Sequence, residues 1–286
     1  MTAPLIERAA AKINLTLRVL GRRADGYHEL ESLVAFADLA DTLTLQPGPE
    51  TGLAVSGPFA RASGAIADNL VLKAFRSLGE RVEGLIGGRF QLEKNIPVAA
   101  GLGGGSADAA AALRLLARAN GLALDDARLM TAALRVGADV PVCLSSRACI
   151  MTGVGERLSP PLALPKLYAL LVNPGVSLAT RDVFAGYAGT PAVAKPPAIV
   201  PRQPDALIDF LQGQGNDLND AAIACAPVIA DLLAALRTLP AVRLARMSGS
   251  GPTCFALFAS SGEAAAAVAS LRAHRHDWWI VSTTFG

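Results

Sequence analysis

Two α+β domains are predicted for this chain, dividing near Pro160-Pro161 into residues 1–160 and 161–286. Three observations carry that prediction. The chain has 286 residues, and about 150 residues make an ordinary domain. Segments of strand and helix character intermix in both halves, without the regular strand–helix alternation of a doubly wound sheet. Hydrophobic residues make up 52% of the chain and charged ones 17%, enough to bury two cores and too apolar for disorder.

The elements follow in order. Ala11 to Leu20 alternates in part and carries β-branched residues, so a strand is expected. Asp25-Gly26 supplies a turn, and Leu33 to Pro47 one or two further strands. Asp68 or Asn69 caps a helix running to about Glu80, with Gly79 near its end. Gly87 to Pro97 holds a short strand. Ser106 opens an alanine-rich helix that Gly121 terminates. Asp125-Asp126 opens another that Gly137 stops, its carboxylates complementing the positive helix end. In the second half Leu167 to Pro174 is a strand, and Ser177 or Thr180 starts a short helix toward Phe184. Gly186 to Pro204 holds five of the 18 prolines and is expected as an irregular connection or lid. Asn216 to Leu236 is helical, with Pro227 either kinking it or beginning a second helix. Val242 to Ser260 predicts two strands around a glycine turn, Gly262 to His274 a helix, and Trp278 to Phe285 a closing strand.

Twenty-six basic residues against 24 acidic ones leave a net charge of +2. So even a balance provides no electrostatic ground for binding nucleic acid or a membrane surface. Glu7, Arg8, Lys12 and Arg18 interrupt any apolar signal-peptide core, and the longest uncharged stretch, Met247 to Gly262, is broken by glycines and Pro252. Cys143, Cys149, Cys225 and Cys254 form no CxxC pair and have no histidine nearby. Buried free thiols in a reducing compartment are expected, hence a cytoplasmic protein.

The stretch that asks for chemistry is PVAAGLGGGSADAA, Pro97 to Ala110. Glycine costs conformational entropy on folding, so Gly101, Gly103, Gly104 and Gly105 together signal a need for bare backbone. Two commoner phosphate loops do not fit. GxxxxGK[ST] needs lysine after its last glycine, where Ser106 stands, and GxGxxG, counted from Gly101, needs glycine at Ser106. The general physics survives: the amides of Gly103, Gly104, Gly105 and Ser106 sit at a helix start, where unpaired N–H groups and the dipole attract phosphate. The Ser106 hydroxyl is placed to reach a phosphate oxygen or a bound Mg²⁺. The alternative is a close helix–strand crossing with no ligand. MSGSGPTCF, Met247 to Phe255, is a second nest of amides or a hairpin turn. Two such loops from different domains imply an anion held at their junction.

These two segments, with the early AAAKINLTL, resemble the three motifs of the GHMP kinase superfamily, which includes galactokinase, homoserine kinase and mevalonate kinase. AKINLTLRVLGRRADGYHELES, GADVPVCL, GVGERL and NDLNDAA narrow the resemblance to the branch that phosphorylates a cytidine-diphosphate sugar alcohol in non-mevalonate isoprenoid synthesis. The resemblance runs from about residue 8 to the C-terminus, and Gly186 to Pro204 matches nothing in it. It implies a ribosomal-protein-like βαβ N-terminal domain, a ferredoxin-like C-terminal domain, and ATP in a syn conformation on the glycine loop, accompanied by Mg²⁺. Implied ATP contacts are Pro97, Val98, Ala99, Ala100, Gly101, Leu102, Gly103, Gly104, Gly105, Ser106 and Ala107. Asn69 and Lys94 are implied for adenine, although Asn69 serves equally well as a helix cap.

Phosphoryl transfer needs positioning and charge neutralisation more than covalent help, and an attacking hydroxyl needs a proton acceptor. The resemblance implies Asp139, in GADVP, as the catalytic carboxylate. It implies Lys12, in AKINL, as the lysine that holds Asp139 charged, orients the hydroxyl and offsets γ-phosphate charge. Asp139 follows a helix stop and comes just ahead of Pro141, so extended backbone is expected there. By themselves, Asp139 suits a turn and Lys12 suits solvent. Asn14 shares Lys12's strand face and is placed to hydrogen-bond the alcohol. Tyr27 and Phe184 are implied as a sandwich around cytosine and His28 as the group reading its edge. Thr180 is implied as a diphosphate contact, or caps the helix toward Phe184. The expected partners are small molecules, ATP and the cytidine diphosphate sugar alcohol, on a monomer or homodimer. A kinase for another alcohol and a nucleotide-binding regulator are the alternatives; a regulator has no chemical need of Lys12 and Asp139.

Overall fold

A computed structural model describes residues 3–190 and 199–286 of the chain. Residues 191–198, inside the expected lid, lie outside the described residues. From the N-terminus come β1 (Leu5–Asn14), β2 (Arg18–Arg22), β3 (His28–Pro47), β4 (Gly52–Ser56), α1 (Leu70–Gly79), β5 (Gly88–Glu93), α2 (Gly104–Ala119), α3 (Ala127–Val136) and α4 (Val140–Ser145). The chain continues through β6 (Cys149–Gly153), β7 (Arg157–Leu158), β8 (Leu167–Asn173), α5 (Thr180–Ala185), α6 (Pro204–Gln212), α7 (Asn219–Cys225) and α8 (Val228–Arg237). It ends with β9 (Leu244–Met247), β10 (Cys254–Phe258), α9 (Ser261–Arg272) and β11 (Trp279–Phe285).

These elements pack as two compact units. The first holds the segment ending at Lys12 with Leu39–Val98 and Gly103–Ser146; the second holds Ile13–Asp38, Ala99–Leu102 and Arg147–Gly286. The units interleave in sequence, so β1 and β3 each pass from one to the other, whereas the reading above divides the chain once near residue 160.

In the first unit β5 pairs antiparallel with the second half of β3 and parallel with β4. Parallel neighbours need a crossover, and α1 supplies it, making β4, α1 and β5 a βαβ unit. Alternation in GRFQLE sets the facing, with Phe90 and Leu92 buried and Arg89, Gln91 and Glu93 exposed. The α1 helix starts where the Asn69 side chain accepts the Val71 amide at 3.0 Å, so Asn69, not Asp68, is its cap. Val71, Ala74 and Leu78 then form one buried face, and α1 packs on α2 and α3. Every residue of α2 from Ala107 to Ala117 is buried; alanine lets neighbouring elements approach without adding volume.

In the second unit β8, α8, β9, β10, α9 and β11 follow a βαββαβ order. Their antiparallel sheet runs β11-β8-β10-β9, which is the ferredoxin-like arrangement. The α8 helix covers β9 and β10, and α9 lies on β8, β10 and β11. Leu170, Val172, Phe258 and Ile280 meet Leu232, Leu236, Ala267 and Leu271 in the core between strands and helices.

Several expectations are corrected. The strand expected from Ala11 to Leu20 breaks into β1 and β2, because the Thr16 hydroxyl accepts the Leu33 amide at 3.0 Å and the Leu17 amide donates to Gly215 instead of a neighbouring strand. The α2 helix opens at Gly104, two residues ahead of Ser106, because Gly103 at φ 62 provides a left-handed entry. Of the two alternatives at Pro227, the structure takes the second: Pro227 begins a separate helix, α8. The short elements β4, β6, β7, α4 and α6 were not anticipated; none exceeds nine residues, and elements so short depend on tertiary partners. The four cysteines are free, with Cys225 exposed and the other three buried. No helix among the described residues is long and apolar enough to cross a membrane.

Candidate active site

Lys12 lies on the buried stretch of β1 and is 4% exposed. Its Nζ stands 3.0 Å from Asp139 Oδ2, while the Asp139 side chain keeps 34% of its surface open. A lysine this buried needs a charged partner, so the solvent-facing alternative is excluded. Asp139 stands at the entry to α4 with φ −85 and ψ −8, in helical and not extended conformation. The reason is that Pro141 falls in the first turn of α4, where its missing N–H is not needed. The helix therefore begins at Asp139 and aims the carboxylate at Lys12.

The glycine loop comes to the same lysine. A Cβ on Gly103 would lie 3.2 Å from Lys12 Cε and 3.3 Å from Lys12 Cβ, so bare backbone makes room for the lysine stem. The Ala107 amide donates to the Gly103 carbonyl at 2.8 Å, which leaves the amides of Gly104, Gly105 and Ser106 in the unpaired first turn of α2. Pro97, Leu102 and Ala107 are buried and shape the loop, whereas Val98 and Ala99 are exposed.

Lys94 lies among acidic partners. It is 3% exposed, and its ammonium donates to Asp108 Oδ2 at 2.8 Å and to Asp41. The second Asp41 oxygen accepts the Asn95 amide and, at 2.8 Å, the Ile96 amide. The ammonium is committed to two carboxylates and braces the flanks of the loop. A Cβ on Gly104 would sit 3.2 Å from its Nζ. One ammonium between two carboxylates leaves surplus negative charge. Burial pushes the Asp108 carboxyl up to about 7, against the pull of Lys94, and its Oδ1 has no hydrogen-bond partner among the described residues. Burial also opposes the Lys94 charge, but Asp108 and Asp41 outweigh it and hold the ammonium above its ordinary value.

The second unit assembles a different set. Asn14 is 1% exposed; its side-chain amide donates to Ser32 Oγ at 2.7 Å and its backbone amide to Ser248 Oγ at 3.1 Å. Ser248 Oγ in turn donates to the Gly101 carbonyl at 3.1 Å, and the Thr253 amide donates to the Ala100 carbonyl at 3.2 Å. Segments carrying all three motifs are thus knit together around one serine hydroxyl. His28 stacks on Phe184 with ring centroids 5.2 Å apart, and Tyr187 meets His28 edge-on at 6.0 Å. Burial first, and then Arg22, lower the His28 pKa, so its imidazole is neutral at pH 7. Tyr27 is 63% exposed. The Thr180 hydroxyl lies 3.0 Å from Ser250 Oγ, and α5 is entered at Ala179 without a side-chain cap, so Thr180 is not the cap.

Comparison with known proteins shows the family of the chain. The GHMP kinases N terminal domain matches residues 69–147, and the GHMP kinases C terminal domain matches residues 202–277. The chain is 56% identical over 292 residues to the 4-diphosphocytidyl-2-C-methyl-D-erythritol kinase of Rhodopseudomonas palustris strain BisB18, covering 99% of this chain and 95% of that protein. The chain belongs to the GHMP kinases. A crystal structure of 4-(cytidine 5'-diphospho)-2C-methyl-D-erythritol kinase is 35% identical, covers 99% of both chains and superposes with a TM-score of 0.77. Homoserine kinase from Cytophaga hutchinsonii, 18% identical with a TM-score of 0.70 and covering 99% of this chain and 95% of its own, shares the fold.

Within this GHMP kinase, Lys12, Asp139 and Gly103 come together in the first unit, and Asn14, Gly101 and Ser248 in the second. Asp41, Asp108, Ser32 and Tyr187 were missed. A signal existed for the first two: Lys94 continues the inward register of Phe90 and Leu92 in β5, so it had to be a buried lysine with acidic partners.

The acidic triad predicts a pH effect on stability. Between the unfolded carboxyl value near 4 and the folded value of about 7, native Asp108 holds a proton that the unfolded chain releases. Stability therefore falls as pH rises through that window. Asp108→Asn should flatten the decline and raise Tm at pH 8 by about 2–5 °C, read from melts at pH 5 and pH 8. An undiminished slope would rule out Asp108 as its source.

Proposed function

We propose that the chain transfers the γ-phosphoryl group of ATP to the 2-hydroxyl of 4-diphosphocytidyl-2-C-methyl-D-erythritol, giving the 2-phosphate and ADP. The observation that carries this reading is the Lys12–Asp139 pair beside the glycine loop, in a chain so similar to relatives of that name. Asp139 accepts the hydroxyl proton as the oxygen attacks, and Lys12 balances charge on the carboxylate and on the transferring group. The amides of Gly104, Gly105 and Ser106 cradle ATP phosphates, with Gly101 to Gly103 shaping the approach. Asn69 borders the adenine, and Asn14, two residues beyond Lys12, orients the alcohol.

Mg²⁺ fits as a companion of the nucleotide. No cluster of three metal-binding side chains occurs among the described residues, and Mg²⁺ is commonly held by substrate phosphates with one or two protein oxygens. Ser106 is the protein oxygen on offer; bound there, the ion would neutralise phosphate charge. Residues 1–160 act as the ATP-binding domain and 161–286 as the second domain of a cytoplasmic monomer or homodimer.

The cytidine end falls to Tyr27, Phe184 and His28, with Thr180 toward the diphosphate. The neutral His28 ring offers one donor and one acceptor to a base edge. Stacking on an aromatic ring is worth roughly 1–3 kcal/mol, so Tyr27→Ala should raise KM for the cytidine substrate about tenfold or more. The KM for ATP should hold. Steady-state kinetics with each substrate varied tests this; equal rises in both KM values would remove the stacking role.

A further inference from the structure

Arg114 lies on α2 and is 8% exposed. Its guanidinium donates through Nη1 to the carbonyls of Cys143 at 2.8 Å and Leu144 at 3.4 Å, near the end of α4. Nη2 donates to the Arg8 carbonyl at 2.9 Å, and Nε to Glu7 Oε2 at 3.1 Å, both on β1. These are the two elements that carry the catalytic pair. Asp139 opens α4, and Lys12 follows Arg8 along β1.

The α4 helix has six residues and no side-chain cap at its start. A helix of that length does not hold itself, and its final carbonyls lack intrahelical partners. A guanidinium placed there satisfies the carbonyls and the negative end of the helix together. The planar arginine fork makes several bonds in fixed directions, so it sets both partners at once, which the single ammonium of lysine cannot do.

We propose that Arg114 is a positioning residue that sets the Lys12–Asp139 separation by bridging α4 to β1. It touches neither substrate nor reacting atoms, and the inference rests on the reading of Lys12 and Asp139 as the catalytic pair. A misplacement of about 1 Å costs on the order of 100-fold in rate, so a loosened bridge acts on turnover more than on binding.

Arg114→Met and Arg114→Lys test this by kinetics and by crystallography. For Arg114→Met, kcat per folded enzyme should fall about 10- to 100-fold while both KM values stay within about threefold, with Arg114→Lys in between. In the crystal, the Lys12 Nζ to Asp139 Oδ2 distance, 3.0 Å here, should open beyond ion-pairing range with β1 and α2 otherwise superposable. If Arg114→Met does not fold, Arg114→Lys decides by the same two readouts. An unchanged kcat or an intact ion pair would overturn the proposal and leave Arg114 as a staple of the fold. A wild-type enzyme that turns over no alcohol would defeat the proposed function instead, and the measured distance would still judge Arg114.

Discussion

Asp139→Asn should lower kcat by about 10³-fold and change KM for ATP by less than about threefold. Asparagine keeps the size and the polar contact of the carboxylate but cannot accept a proton. The loop amides proposed to receive ATP lie on another element, so nucleotide affinity has no reason to change. The substitution also leaves Lys12, 5% exposed in its side chain, without its carboxylate partner. Breaking a fully buried pair costs about 3–5 kcal/mol, but a third of Asp139 faces solvent, so the loss of stability should be smaller. The double variant Lys12→Met with Asp139→Asn separates the two effects. It removes the buried ammonium together with the carboxylate and should regain stability, while kcat stays low. A single variant with unaltered kcat would take Asp139 out of the mechanism.

Gly101→Ala should cost roughly 3 kcal/mol or more, from left-handed strain and overpacking together. At φ +75, an alanine Cβ would stand 2.6 Å from the Ser248 carbonyl oxygen and 2.7 Å from that of Gly251. Both are backbone atoms, so neither can swing aside as a side chain would. The turn bearing Ser248 must then move, breaking the contacts that tie Asn14 to the Gly101 carbonyl. Gly26→Ala is the matched comparison, because Gly26 has φ +88 and nothing within 4 Å of the added Cβ. It carries backbone strain without a clash, so about 1 kcal/mol is expected. The Tm of Gly101→Ala should lie about 5 °C or more below that of Gly26→Ala. Equal melting temperatures would mean that the Gly101 approach is not tight in solution.

Much of this fold is legible in the residues because its long elements advertise themselves. Alternation in GRFQLE, the Asn69 and Asp126 caps and the alanine run after Ser106 each report a local preference that the packed chain keeps. The ferredoxin-like arrangement of the second unit was implied by the motif resemblance, not read from these local signals. What stays hidden is set by contacts distant in sequence. The α4 helix is too short to be read from periodicity, and it exists where Arg114 meets its last carbonyls. The same holds for the site. Lys12 and Asp139 are 127 positions apart, and no spacing rule pairs them; the motif resemblance alone nominated both. Lys94 shows what such transfer leaves out, since its acidic partners on β3 and α2 are not part of the motifs.

The central claim is the acceptor alcohol. ADP release with Mg·ATP, measured against 4-diphosphocytidyl-2-C-methyl-D-erythritol, homoserine and mevalonate in turn, tests it most directly. A site built to hydrogen-bond one substrate rejects others by about 10⁴-fold, so turnover is predicted with the cytidine-linked alcohol and background rates with the other two. Turnover of homoserine or mevalonate without turnover of the cytidine-linked alcohol would contradict it.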